Sequence, residues 1–249
     1  MTYSIVARDT KSGAIGIAVA SRFFACGALV PFIGRNAAFA TQAFVNPVWG
    51  SEGLRRLEAG ESAEDVLADL VARDDGESHR QAHLTDRDGR FAAHTGADCI
   101  DWAGHVLGEG FSVAGNMLEG PQVVEDTARV YAERNDLGFA ERLLTAMEAG
   151  EAAGGDKRGR QAAGLLIHRG EAHPWLDLRV DDDADPLAEL RRLLDVASEQ
   201  YLHFYELLPT ASSFSGNPER AEIERRVAED QARRQAEGRA SQSRATTKV

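Results

Sequence analysis

The chain has 249 residues, 43% of them hydrophobic, and a formal net charge of −12. That length supports one sizeable core, and an acidic body lacks the clustered cations that nucleic acid requires. No apolar run reaches the ~18 residues of a membrane span, no basic and apolar leader opens the chain, and two cysteines, Cys26 and Cys99, are too few for a disulfide framework. The expectation is a cytoplasmic protein with neither a nucleic-acid nor a membrane partner. The final segment departs from the rest: from residue 219 onward eight Lys and Arg stand against six Asp and Glu, so residues 1–218 carry −14.

Residues 2–8 and 14–21 are short runs rich in Ile, Val and Ala, and the turn chemistry of Asp9-Thr10-Lys11-Ser12-Gly13 between them predicts a hairpin. After a break at Pro31, residues 36–44 read as a third strand. Residues 51–58 and 62–73 predict helices, the second with Ser62 as N-cap, Asp65 in its first turn and Val66, Leu67, Leu70 and Val71 in one stripe. A second hairpin over 80–85 and 90–95 turns on Asp86-Arg87-Asp88-Gly89. Residues 111–114 form a strand ending at Gly115-Asn116. Helices follow over 121–134, with Pro121 at its start, and over 139–149. Residues 161–168 and 175–180 close the strand set before a helix from 186 to about 208. Hairpins, paired helices and returning strands predict antiparallel sheets covered by helices, an α+β class, and not a doubly wound parallel sheet. Residues 210–218 read as a linker, 219–237 as a charged helix whose apolar residues are the pair Ile223 and Val227, and 239–249 as disordered. The expected organisation is one domain over 1–209 and an appendage over 210–249.

Thr2 is the first chemical candidate. With Met1 trimmed, it carries a hydroxyl and a free α-amine on one residue, a nucleophile with its own general base. An α-amine titrating at ~7.7–8.0 is substantially neutral at cellular pH. Ser21 and Cys26 are alternatives, although no Gly-x-Ser-x-Gly elbow surrounds Ser21 and the apolar setting of Cys26 suits a packed thiol. His94, Cys99 and His105 lie close in sequence, but their spacing matches no short-loop zinc pattern and lacks a fourth ligand. That segment reads as a strand end running into a Gly-rich loop, with either histidine able to line a pocket. Gly115-Asn116 offers the donors of an oxyanion hole, or a turn cap. The Gly154-Gly155-Asp156-Lys157-Arg158-Gly159 loop precedes a strand and not a helix, which removes a phosphate cradle. It either projects Asp156 and Arg158 or forms an exposed hairpin tip. The acidic run at 181–185 suits the N-terminus of the next helix better than calcium. No motif asks for a metal or another cofactor.

Several blocks together resemble one family. They are Thr2-Tyr3-Ser4-Ile5 through Asp9, the hairpin into Gly16–Ser21, Ala40-Thr41-Gln42-Ala43, Arg80-Gln81, Ala93-His94-Thr95-Gly96 with Cys99, Trp102-Ala103-Gly104-His105, Gly115-Asn116, Gly154-Gly155-Asp156 with Arg158, Gly159 and Gln161, and Asp177–Asp182. The chain resembles the domain-of-unknown-function family 1028, grouped with the N-terminal nucleophile (Ntn) hydrolases, over residues 2–195 in unbroken order. The resemblance implies a four-layer αββα sandwich of two antiparallel sheets, with Thr2 as nucleophile at the edge where the sheets meet. On that map Asn116 and Gly115 supply oxyanion donors, Asp156 and Arg158 orient the α-amine or hold a substrate carboxylate, and Thr41, Gln42 and His105 are pocket walls. Two departures stand out: Asp183 where members often carry histidine, and Ala162 where serine is common. The implied reaction is hydrolysis of a C–N bond in a small, non-peptide amide through a threonyl ester. The rival is a non-catalytic small-molecule-binding protein on the same fold. A small molecule is the expected partner, and a homo-oligomer is compatible with the sequence.

Overall fold

The computed structural model describes residues 2–246. The chain divides after Leu187 into two compact units, whereas composition changes at residue 210.

The first unit contains β1 (Thr2–Arg8), β2 (Ile15–Ser21), a short α1 (Cys26–Leu29), β3 (Pro31–Ile33), β4 (Ala38–Ala43), α2 (Pro47–Glu58), α3 (Ala63–Arg73), β5 (Arg80–Thr85), β6 (Phe91–Thr95), β7 (Trp102–Gly108), β8 (Phe111–Leu118), α4 (Gln122–Glu133), α5 (Phe139–Ala152), β9 (Ala162–His168), β10 (Leu176–Val180) and the first residues of α6 (Pro186–Glu199). One sheet runs β10-β9-β2-β1-β8-β7 and the other β3-β4-β5-β6. Every pairing is antiparallel.

Strand alternation sorts the layers. Val6, Ile17 and Val19 of the larger sheet meet Ile33, Ala38 and Ala40 of the smaller one. Phe39, one residue out of phase, packs with Trp49, Leu57, Val66 and Leu70 beneath α2 and α3. On the far face of the larger sheet Tyr3 points to α5, its hydroxyl donating to the Met147 carbonyl at 2.9 Å. The order is therefore helices, sheet, sheet, helices. Gly150 makes the outer layer tight: a Cβ there would lie 2.9 Å from the Tyr3 ring and closer still to Thr127 Oγ1.

Local chemistry explains most boundaries. Asn46 caps α2 by accepting from the amides of Val48 and Trp49, and Pro47 needs no partner at the first helical position. That helix therefore begins earlier than its apolar pattern. Ser62 caps α3 through the Asp65 amide at 3.1 Å. Pro31, read as a break, opens the edge strand β3, where a missing donor costs no ladder bond. Two expectations are corrected. Residues 102–105, read as part of a Gly-rich loop, belong to the edge strand β7, and β8 continues to Leu118, so Gly115 and Asn116 lie inside a strand.

In the second unit the expected single helix breaks at Gln200, whose φ of −145° is not helical, and α7 (Tyr201–Tyr205) follows. The helix α8 (Arg220–Ala236) pairs with α6 through Arg234. This buried guanidinium donates to Asp230 at 2.8 Å, to the Asp195 carboxylate at 3.2 Å and to the Asp195 carbonyl at 3.1 Å. The segment expected to be disordered is tied back as far as residue 244: Ser241 Oγ donates to Glu199 at 2.7 Å, and Arg244 to Glu189 at 3.3 Å. Residues 247–249 lie outside the described residues. Among the described residues no helix is long and apolar enough to cross a membrane.

Candidate functional site

Toward one end of the sandwich the apolar layer between the sheets gives way to a buried polar seam. Ser4 Oγ donates to Gln42 Oε1 at 2.7 Å, Gln42 Nε2 to Gln81 Oε1 at 2.8 Å, and Gln81 Nε2 to the Gly115 carbonyl at 2.8 Å. The same nitrogen reaches Thr95 Oγ1 at 2.9 Å. His83 stands between Ser4 and Ser112, with Nε2 2.8 Å from one hydroxyl and Nδ1 2.9 Å from the other. Because Ser4 spends its proton on Gln42, it accepts from His83 Nε2–H, and Ser112 donates to Nδ1. Full burial pushes the His83 imidazole down to about 3, so it is neutral at physiological pH. A satisfied network of this kind fixes the register between two sheets, since each member has only one arrangement that meets its neighbours.

Thr2 sits at the end of this seam. It pairs with Asn116 across the sheet, is 7% exposed, and its Oγ1 donates to Ser21 Oγ at 3.2 Å. Beyond Thr2 the flanking chains continue as Arg22 on one side and Leu118 on the other, and Asp156 takes the position between them. It forms a single antiparallel bridge with Leu118, and its carboxylate accepts from the Arg22 amide at 2.7 Å and the Arg158 amide at 2.9 Å. The Arg158 guanidinium folds back onto the same carboxylate at 3.2 Å. Thr2, Asn116, Asp156 and Arg158, far apart in sequence, thus meet at one end of β1. Removal of Met1, on which a free α-amine depends, lies outside the described residues.

A cavity of about 420 Å³ opens beside Asn116, walled by Ala43, Phe44, His79, Asp98, Cys99, Ile100 and Met117. Ala43 and Met117 hold left-handed backbones at φ 66° and 54°, a conformation costing ~1–2 kcal/mol for L-residues and concentrated at functional sites. The Met117 amide donates to the Ile100 carbonyl and the Phe44 amide to the His79 carbonyl, both at 3.1 Å. Lys157 Nζ lies 3.7 Å from Asp101, bringing the Asp156 loop to the same rim. Burial raises the Cys99 thiol above its ordinary value, so it is no thiolate nucleophile.

Other expected site residues lie elsewhere. Thr41 shares the helix-facing side of β4 with Phe39 and accepts from the Asn46 amide at 3.2 Å, a loop-fastening role and not a pocket wall. Gln42 is fully buried in the seam. His105, exposed on the edge strand β7, is bonded to Thr95 Oγ1 at 2.9 Å and is not among the residues that wall the cavity. His94 pairs with Glu77 at 3.1 Å under α2. Asn116 departs from the expected oxyanion donor, since both Nδ2 hydrogens are spent, one toward Gln81 Oε1 at 3.0 Å and one toward the Thr2 carbonyl at 3.4 Å. Burial lifts the Cys26 thiol to about 12, which keeps it protonated and packed. Most cavity walls went unread because their positions follow from loop conformation, and left-handed Ala and Met leave no mark in a sequence.

A family match now joins the geometry: the family of unknown function DUF1028 matches residues 2–190. The chain belongs to DUF1028. The match covers the first unit and ends within the opening turns of α6, so α7 and α8 lie outside it. A similar DUF1028 crystal structure, protein SPO2555 from Silicibacter pomeroyi, is 31% identical and superposes with a TM-score of 0.80, covering 87% of this chain and 98% of its own. Among curated proteins none matches the chain. DUF1028 membership supports the sandwich architecture and leaves the reaction to be argued from the site.

Proposed function

We propose that this DUF1028 protein is an Ntn-type hydrolase of the cytoplasm that cleaves a C–N bond of a small, non-peptide amide, with Thr2 as nucleophile. The observation that carries the reading is the convergence of Thr2, Asn116 and Asp156 at the end of β1, beside a cavity. In the proposed reaction the neutral α-amine of Thr2 takes the proton of its own hydroxyl as Oγ1 attacks the amide carbon. The protonated amine then returns that proton to the departing nitrogen, giving a threonyl ester and a free amine. Water, deprotonated by the same α-amine, hydrolyses the ester to the acid and restores Thr2. Asn116 acts here as an acceptor: its Oδ1 is buried without a partner, and we assign it to the Thr2 α-ammonium. Asp156 closes the sheet ahead of Thr2, with Arg158 balancing its charge.

The test is intact mass, to establish whether Thr2 leads the mature chain, followed by turnover of small amides. Thr2→Ser keeps measurable activity, whereas Thr2→Ala and Thr2→Val abolish it, and acetylating the α-amine stops turnover as completely. An acetylated protein working at the wild-type rate refutes the mechanism. A second reading, non-catalytic small-molecule binding on the same sandwich, is favoured by the committed hydrogens of Asn116 and the near-complete burial of Thr2. It predicts that Thr2→Ala binds ligands as the wild type does and that no amide turns over.

A further inference from the structure

The cavity beside Asn116 is walled mainly by the apolar side chains of Ala43, Phe44, Ile100 and Met117. Phe44 and Ile100 are 69% and 62% exposed, an uneconomical placement for large apolar side chains that share one cavity with Ala43 and Met117. The Phe44 ring is held from one side. The Arg80 guanidinium lies 4.6 Å from its centroid, donates to the Phe44 carbonyl at 2.7 Å and is anchored by Asp74 at 3.2 Å. A ring braced on one face offers the other to a flat partner, since aromatic pairs favour stacked or edge-on contact, and the Met117 thioether adds a polarizable surface that suits ring edges. The strained backbones of Ala43 and Met117 fix these walls before any ligand arrives.

Charge sets the second restriction. Among the described residues lining the cavity there is no Lys or Arg, and the carboxylate among them is Asp98, with His79 Nε2 4.0 Å away. A ligand carboxylate entering here would meet a like charge, while the neighbouring cations are already committed, Lys157 to Asp101 at 3.7 Å and Arg80 to Asp74 at 3.2 Å.

We infer that this cavity takes a flat, uncharged apolar group, an aryl ring, from a small amide whose carbonyl carbon is presented toward Thr2. The identification of that ring as the acyl part of a substrate rests on the hydrolase reading; the ligand class does not.

Three probes of graded chemistry test it: benzamide, its anionic counterpart benzoate, and acetamide, which lacks the ring. Binding is read on the full chain from the Met117 and Ile100 methyl resonances, so no turnover is needed. Benzamide is expected to bind about tenfold more tightly than acetamide, the gain from burying a ring, and more tightly than benzoate, with shifts at both methyl groups. Phe44→Ser and Ile100→Asp change exposed side chains and leave the circular dichroism spectrum intact. Each is expected to reduce the preference for benzamide at least fivefold. Equal affinity for benzamide and acetamide, tighter binding of benzoate, or an unchanged preference in Phe44→Ser overturns the inference. A clear benzamide preference without turnover of any amide upholds the pocket and overturns the hydrolase reading. Turnover with no preference for ring-bearing amides upholds the hydrolase reading and overturns the pocket.

Discussion

Acidification should destabilise the first unit through His83 before the carboxylates begin to titrate. The imidazole is fully buried between the sheets and held at about 3, against 6.5 for an unperturbed histidine. Between those values the unfolded chain binds a proton that the native state refuses, so stability rises with pH there by about 1.4 kcal/mol per pH unit. The contribution is fully present above pH 6.5 and is lost progressively toward pH 3. From pH 7.5 to pH 5 it amounts to about 2 kcal/mol, a large part of the margin of a typical domain. His105 and His168 are lowered in the same direction by partial burial, so the measurement is a comparison. His83→Gln keeps a donor toward Ser4 at the place of Nε2–H and cannot titrate. The variant is less stable at pH 7.5 because Ser112 loses its acceptor, yet its stability should fall by about 2 kcal/mol less between pH 7.5 and 5. Urea unfolding followed by the fluorescence of Trp49, Trp102 and Trp175, all in the first unit, gives both slopes. Equal pH dependence in the two proteins would refute the burial of a neutral His83.

Gly150→Ala forces a methyl group against Thr127 and the Tyr3 ring, which should cost about 1–3 kcal/mol as overpacking and lower the melting temperature. Ala43→Gly removes an L-residue from a left-handed backbone at φ 66°; the relief outweighs the added chain entropy, so stability should hold or rise by up to ~1 kcal/mol in the same urea titration. In the second unit Arg234→Ala leaves the buried Asp230 with a weaker set of partners, and loss of about 3 kcal/mol of local stability should appear as faster amide exchange over residues 220–236.

The legible parts of this fold were those where turn chemistry bounds an apolar run. The β1–β2 and β5–β6 hairpins follow directly from Asp9–Gly13 and Asp86–Gly89, and β9 and β10 from their Leu and Ile content. β7 escaped because an edge strand with exposed His105 and Leu107 carries no such run. The seam left a faint signal: Gln81 and His83 lie two apart in β5, on the face opposite Ala82 and Leu84, so both polar side chains had to point into the space between the sheets. Thr41 was misplaced for the complementary reason. It follows Ala40 by one residue and therefore faces the helices, a parity that needed the register of β4 against β5 to decide. Thr2, Asn116 and Asp156 were readable as candidates, but their meeting depends on Asp156 completing the sheet between Arg22 and Leu118, a long-range bridge with no local cause.

The role proposed for Asn116 separates two mechanisms by a direction, not a size. Its Nδ2 hydrogens are already engaged, while Oδ1 is a buried acceptor without a partner beside Thr2, a situation that costs about 1–3 kcal/mol unless a donor arrives. An α-ammonium at Thr2 is such a donor, and its hydrogen bond favours the charged amine. Asn116→Ala removes that support, so the amine should lose its proton at lower pH, by about one pH unit if the bond is worth ~1.4 kcal/mol. After intact mass has established that Thr2 leads the chain, the pH dependence of α-amine acylation reads this shift without any substrate. On the proposed reading the rising limb of the pH–rate profile moves down with it. Were Asn116 an oxyanion donor instead, its loss would lower turnover about 10²–10³-fold at every pH and leave the limb where it stood. An acylation midpoint identical in wild type and Asn116→Ala removes Asn116 from the amine and returns the orphaned oxygen to the substrate.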